Sequence, residues 1–134
     1  MKKVKLACII DDDPIFVFGI KKMMELTEFC DNFLICCNGK EALDKLTGIV
    51  ESGENIPEVI LLDLNMPVMD GWEFLEEFTK VKTPKEIMIY IVTSSIDKND
   101  LERAKEFSIV SNYVVKPIDV KDLESIKEKI NSNF

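Results

Sequence analysis

The sequence predicts a doubly wound α/β fold, a five-stranded parallel sheet in the order 2-1-3-4-5 with five helices on its two faces. Three observations carry this. Strand-like apolar runs alternate with helical stretches five times along the chain. Two runs, Val59-Ile60-Leu61-Leu62 and Ile87-Met88-Ile89-Tyr90-Ile91-Val92, lack polar–apolar alternation, as strands buried on both faces do. Four runs stop at a polar residue: Asp11, Asp63, Thr93 and Lys116. In a parallel sheet these ends share one edge, the edge at which ligands bind in open α/β sheets.

Each element has its own signal. Leu6 to Ile10 is the first strand. Pro14 falls at a first helical position with Asp13 as N-cap, and Phe16, Ile20, Met23 and Met24 continue at helical spacing to about Phe29. Phe33 to Cys37 is the second strand, broken by Asn38-Gly39. Lys40 to about Val50 carries Ala42, Leu43 and Leu46 on one helical side. Ser52-Gly53-Glu54-Asn55 is a loop, and Pro57 introduces the third strand, Glu58 to Leu62. After the turn signals Pro67 and Asp70-Gly71, Trp72, Phe74, Leu75 and Phe78 mark a core-facing helix that ends before Pro84. Ile87 to Val92 is the fourth strand. Asp97 to Phe107 is a polar helix with Leu101 and Ala104 on one side. Ser111 to Val115 is a short fifth strand. Asp119 caps a last helix bearing Val120, Leu123, Ile126 and Ile130.

The bulk composition limits what the chain does. Its 134 residues make one domain, 1–134, with no linker or low-complexity segment. It is 46% hydrophobic and 31% charged, a globular balance. The formal net charge of −8 disfavours direct nucleic-acid binding, which needs a lysine and arginine surface. Met1-Lys2-Lys3 before Val4 to Ile10 looks like a weak signal peptide, but Lys5 interrupts the run and Asp11 ends it. No stretch approaches the about 18 apolar residues that span a bilayer, so the expected compartment is the cytoplasm and no membrane partner is expected. Cys8, Cys30, Cys36 and Cys37 contain no Cys-x-x-Cys spacing, and there is no histidine. That disfavours zinc and excludes histidine-based triads. Cys8, Cys36 and Cys37 fall in strands and read as small core residues.

The polar strand ends define a chemistry. In the predicted order the first and third strands are neighbours, so Asp11 and Asp12 lie beside Asp63, with Asp13 adjacent as the helix cap. Clustered carboxylates repel unless a cation is present, and hard oxygen ligands with open positions suit Mg²⁺ (or Mn²⁺) completed by a substrate phosphate. Lys116 adds a positive charge and Thr93 a hydroxyl. A carboxylate nucleophile with these neighbours can accept a phosphoryl group, whose equatorial oxygens need neutralising during transfer.

With these residues in place, the chain resembles the receiver domain of response regulators in two-component signalling. The matching segments are Ile9-Ile10-Asp11-Asp12-Asp13, Leu61 to Gly71 (Leu-Leu-Asp-Leu-Asn-Met-Pro-Val-Met-Asp-Gly), Ile91-Val92-Thr93-Ser94 and Tyr113-Val114-Val115-Lys116-Pro117. They occur in family order and cover essentially the whole chain. The resemblance implies the flavodoxin-like (CheY-like) fold and a set of roles. Asp63 matches the phosphorylated aspartate. Asp12 matches a direct Mg²⁺ ligand, Asp11 one that acts largely through water, and the backbone carbonyl of Asn65 a further ligand. Thr93 and Lys116 match the groups that sense the phosphate, and Tyr113 the aromatic that follows Thr93. Asn65 and Ser95 occupy positions that tune the phosphate's lifetime. The Lys116–Pro117 bond is expected to be cis.

The implied partner is a histidine kinase or phosphotransfer protein, with an unknown downstream protein target and dimerisation on phosphorylation as an option. Slow self-dephosphorylation and self-phosphorylation from small donors come with the family, without making the chain an enzyme. Its limits, with Met1 close to the first strand and Phe134 soon after the last helix, suggest a stand-alone regulator. Three rivals remain. An aspartate-nucleophile phosphatase of the haloacid-dehalogenase kind wants a second acid where Asn65 stands. A pseudo-receiver would bind partners without taking phosphate, and would not need the complete acid, threonine and lysine set. A flavodoxin-like cofactor binder needs a phosphate loop after the first strand, where three aspartates repel phosphate.

Overall fold

The computed structural model describes residues 3–133; Met1, Lys2 and Phe134, invoked above for a leader and for chain length, lie outside them. Five strands and five helices alternate: β1 (Val4–Ile10), α1 (Pro14–Leu26), β2 (Cys30–Cys36), α2 (Gly39–Ser52), β3 (Val59–Leu62), α3 (Gly71–Phe78), β4 (Met88–Thr93), α4 (Lys98–Ala104), β5 (Val110–Val115) and α5 (Val120–Asn133). The sheet is parallel throughout, in the order β2-β1-β3-β4-β5.

Alternate strand residues feed two separate cores, as the two-residue period of a strand requires. Ala7, Ile9, Val59, Leu61, Tyr90 and Val92 pack with Ile20 and Met24 of α1 and Leu123, Ile126 and Ile130 of α5. Cys8, Ile10, Ile60, Leu62, Ile89 and Ile91 pack on the other face with residues of α2, α3 and α4, including Leu46, Phe74 and Ala104. Every residue of β3 and β4 is buried, while the edge strands β2 and β5 are mixed. The apolar runs therefore mark the central strands, as expected.

The differences from the sequence reading have local causes. α1 stops at Leu26 rather than near Phe29: the Thr27 hydroxyl donates to the Met23 carbonyl at 2.8 Å, and Glu28 turns left-handed at φ 52°. Phe29 leaves the helix to become a core residue only 1% exposed. β2 begins three residues earlier than expected and ends at Cys36, so Cys37 is exposed and the core assignment for it is corrected. α3 and α4 are shorter than the apolar pattern suggests, ending at Phe78 and Ala104.

Candidate functional site

The carboxyl ends of β1, β3, β4 and β5 open onto one edge. Ile10 pairs with Leu62 and Leu62 with Ile91, so Asp11, Asp63 and Thr93 leave neighbouring strands together. Backbone bonds tie these ends: Asp63 N–H donates to the Ile10 carbonyl (2.9 Å), and Lys116 N–H to the Thr93 carbonyl (2.8 Å). The Lys116–Pro117 peptide bond is cis.

Three of the proposed acids converge. Asp11, Asp12 and Asp63 each offer a carboxylate oxygen, and these oxygens lie within 4.8 Å of one another. Asp11 and Asp63 are buried and Asp12 is exposed, so the cluster is closed below and open to solvent above. The Lys116 ammonium enters it from β5, 2.9 Å from Asp11 Oδ2 and 3.6 Å from Asp63 Oδ2. Three carboxylates and one ammonium leave a formal charge of −2. Burial pushes the Asp11 carboxyl above its ordinary value, and the neighbouring Asp63 adds to the rise; the Asp13 N–H (2.9 Å) and Lys116 pull the other way without cancelling it. The donor set is all hard oxygen, carries an uncompensated double negative charge and is open on one side, which fits a divalent cation such as Mg²⁺.

The loop after β3 is built around Asp63. Asp63 Oδ1 accepts the Leu64 N–H at 2.8 Å, which fixes the carboxylate's orientation. Asp70 caps α3 by accepting the Glu73 N–H, and Glu73 returns the bond to the Asp70 N–H. Gly71 opens that helix, with its N–H on the Leu64 carbonyl at 3.0 Å. A Cβ there would stand 2.4 Å from the Asp63 carbonyl oxygen, so only glycine lets the helix approach this closely. Asn65, expected to offer its carbonyl, is exposed at the mouth of the same loop.

Thr93 is fully buried, and its Oγ1 accepts the Ser95 N–H at 3.4 Å. Tyr113 is half-buried and donates its hydroxyl to the Ser95 carbonyl at 2.9 Å. Thr93, Ser95 and Tyr113 thus form a second group joined by hydrogen bonds, while Asp11, Asp12, Asp63 and Lys116 form the first. Asp13 caps α1 by accepting the Ile15 N–H. Sequence reasoning missed two contacts. The Lys116 ammonium lies 4.2 Å from the centre of the Phe16 ring, a cation–π contact that steadies it. Ser95 is bound to Asp100 in α4 at 2.6 Å. Phe16 was legible only as a helix residue, and Asp100 only as a polar one.

A doubly wound sheet with an acidic, lysine-paired pocket at its carboxyl edge is the architecture of a receiver domain of a signalling protein. The chain belongs to the response regulator receiver domain family, whose model matches residues 7–128. It is 30% identical over 122 residues to the probable methanogenesis regulatory protein FilR2 of Methanothrix harundinacea, covering 91% of this chain and 78% of that protein. It is 35% identical over 92 residues to the sensor histidine kinase CheAY of Helicobacter pylori, covering 69% of this chain but only 11% of the kinase. Among solved structures, a two-component response regulator from Cytophaga hutchinsonii superposes with a TM-score of 0.88 at 26% identity, covering 98% of this chain and 99% of that one. No described helix is long and apolar enough to cross a membrane.

Proposed function

We propose that Asp63 accepts a phosphoryl group from a phosphohistidine of a histidine kinase or phosphotransfer protein, and that the product is a changed partner-binding surface. The observation that carries this is the ammonium of Lys116 set between the carboxylates of Asp11 and Asp63 at 2.9 and 3.6 Å. A structural ion pair needs one acid; this lysine faces a cluster of them that has charge to spare. In the transfer, an Asp63 carboxylate oxygen forms a bond to phosphorus as the phosphorus–nitrogen bond of phosphohistidine breaks. The electron pair leaves with the imidazole nitrogen.

Asp11, Asp12, Asp63 and the carbonyl of Asn65 would hold Mg²⁺ (or Mn²⁺). The ion would neutralise charge on the carboxylate and the phosphoryl oxygens. Lys116 supplies a fixed positive charge to the same oxygens, and the Leu64 N–H holds Asp63 in orientation. Thr93 then turns its hydroxyl toward the new phosphate, and Tyr113, bound to Ser95, follows. Asn65 and Ser95 tune how fast water removes the phosphate. The readout is a downstream protein that binds the altered surface, with dimerisation as one form it can take, in the cytoplasm.

The test is incubation with Mg²⁺ and acetyl phosphate, read by intact mass. The expected result is a gain of one phosphoryl group that disappears in Asp63→Asn and with EDTA. No gain in folded protein with several donors would favour a pseudo-receiver. Rapid turnover of unrelated phosphate monoesters would favour a phosphatase.

A further inference from the structure

Ser95 is the junction of three elements. Its N–H donates to Thr93 Oγ1 at the end of β4 (3.4 Å), and its carbonyl accepts the hydroxyl of Tyr113 in β5 (2.9 Å). Its own hydroxyl donates to Asp100 Oδ2 in the first turn of α4 at 2.6 Å, while accepting the Asp97 N–H at 3.3 Å. Every polar group of Ser95 is engaged. The bond to Asp100 is the short, charge-assisted one, of the kind roughly twice as strong as a neutral pair. The bond to Thr93 is the longest and weakest of the four.

We propose that Asp100 is a positioning residue that fastens the Thr93–Ser95 turn to α4, so that displacement of the turn at the phosphoacceptor site moves the helix. The inference rests on the phosphoacceptor reading of Asp63. When Thr93 turns its hydroxyl toward a phosphorylated Asp63, the Ser95 N–H loses its acceptor and the turn is free to shift. α4 follows because its first turn is held to Ser95 through Asp100. α4 spans only Lys98–Ala104, so a pull on its first turn displaces it as one body.

Its far end carries a reporter. The Arg103 guanidinium lies 4.7 Å from the centre of the Trp72 ring and pairs with Glu76 at 3.3 Å; Trp72 also stacks on Phe107. Trp72 is the chain's single tryptophan. Its emission therefore reads the position of α4 against α3. A charge in the first turn also favours a helix by itself, and that role would alter stability without altering this coupling.

The experiment adds Mg²⁺ and acetyl phosphate to wild type, Asp100→Ala and Asp100→Asn, and follows intact mass and Trp72 emission on the same samples. Wild type is expected to change emission in step with phosphoryl incorporation. Asp100→Ala is expected to incorporate phosphate to a similar extent while its emission change per phosphoryl group falls by about tenfold or more, as loss of one charged hydrogen bond implies. Asp100→Asn keeps an acceptor oxygen and should recover most of the change. Ser95→Ala removes the donor and should uncouple emission as Asp100→Ala does; it carries the test if Asp100→Ala does not fold. A full emission change in Asp100→Ala or Ser95→Ala overturns the proposal. So does wild-type incorporation with no emission change. Absence of incorporation in wild type is a different failure, that of the phosphoacceptor reading, and takes the coupling with it.

Discussion

Asp11 is the residue in which the cost of the site is most visible. Burial raises its carboxyl above the ordinary value of 3.8 despite contacts with Lys116 and the Asp13 N–H. The folded chain therefore binds this proton more tightly than the unfolded chain does. Asp11 favours folding below the unfolded value and opposes it increasingly as pH rises from there through the raised folded one. In metal-free protein, Asp11→Asn should melt above wild type at neutral pH, and the gap should narrow as pH falls toward 4. Thermal melts across that range with EDTA check this, and a gap that widened on acidification would contradict it. Adding Mg²⁺ should stabilise wild type more than the variant, which keeps Asp12 and Asp63 but has lost one carboxylate of the cluster. The acids themselves were legible in the sequence because Asp11 and Asp63 each end an apolar run, with Asp12 next to Asp11, and strand ends in a parallel sheet share an edge. The Lys116–Phe16 and Ser95–Asp100 contacts were not, because they depend on where helices dock, which strand patterning does not determine.

At the scale of an element, the loop from β3 to α3 shows how local strain accompanies the site. Val68 sits at φ 69° with the Met69 N–H on the Pro67 carbonyl at 2.8 Å, a three-residue turn with a β-branched residue at its centre. Its side chain is 80% exposed and gains little from packing. Left-handed backbone costs such a residue on the order of 1–3 kcal/mol. Val68→Asn should raise stability by about 1 kcal/mol, or about 3 °C in melting temperature, measured by thermal unfolding; an unchanged or lower midpoint would contradict the strain argument. The sequence marked this segment as a turn through Pro67 and Asp70-Gly71. It did not show that a valine would carry the positive φ, since valine is among the residues least suited to it. The early end of α1 escaped notice for a related reason. Phe29 fits the apolar helical pattern, yet the Thr27 hydroxyl and the left-handed Glu28 end the helix before it.

Across the whole molecule, the alternation of strand residues sends half of the sheet's side chains to each of two cores. That division was legible because β3, β4 and the second half of β1 are apolar runs flanked by helical stretches. What was lost is the last residue of β2: ending the strand at Cys36 leaves Cys37 one position beyond the ladder and in solvent. Cys8, Cys30 and Cys36 are buried, and burial pushes the Cys30 thiol up to about 11. To a maleimide, the native chain is therefore a one-thiol protein and the denatured chain a four-thiol protein. Mass spectrometry after brief alkylation should show one adduct under native conditions and four in denaturant; two or more fast native adducts would contradict the burial. The same property makes the chain its own folding gauge, because the distribution between one and four labels counts folded and unfolded molecules without any engineered probe.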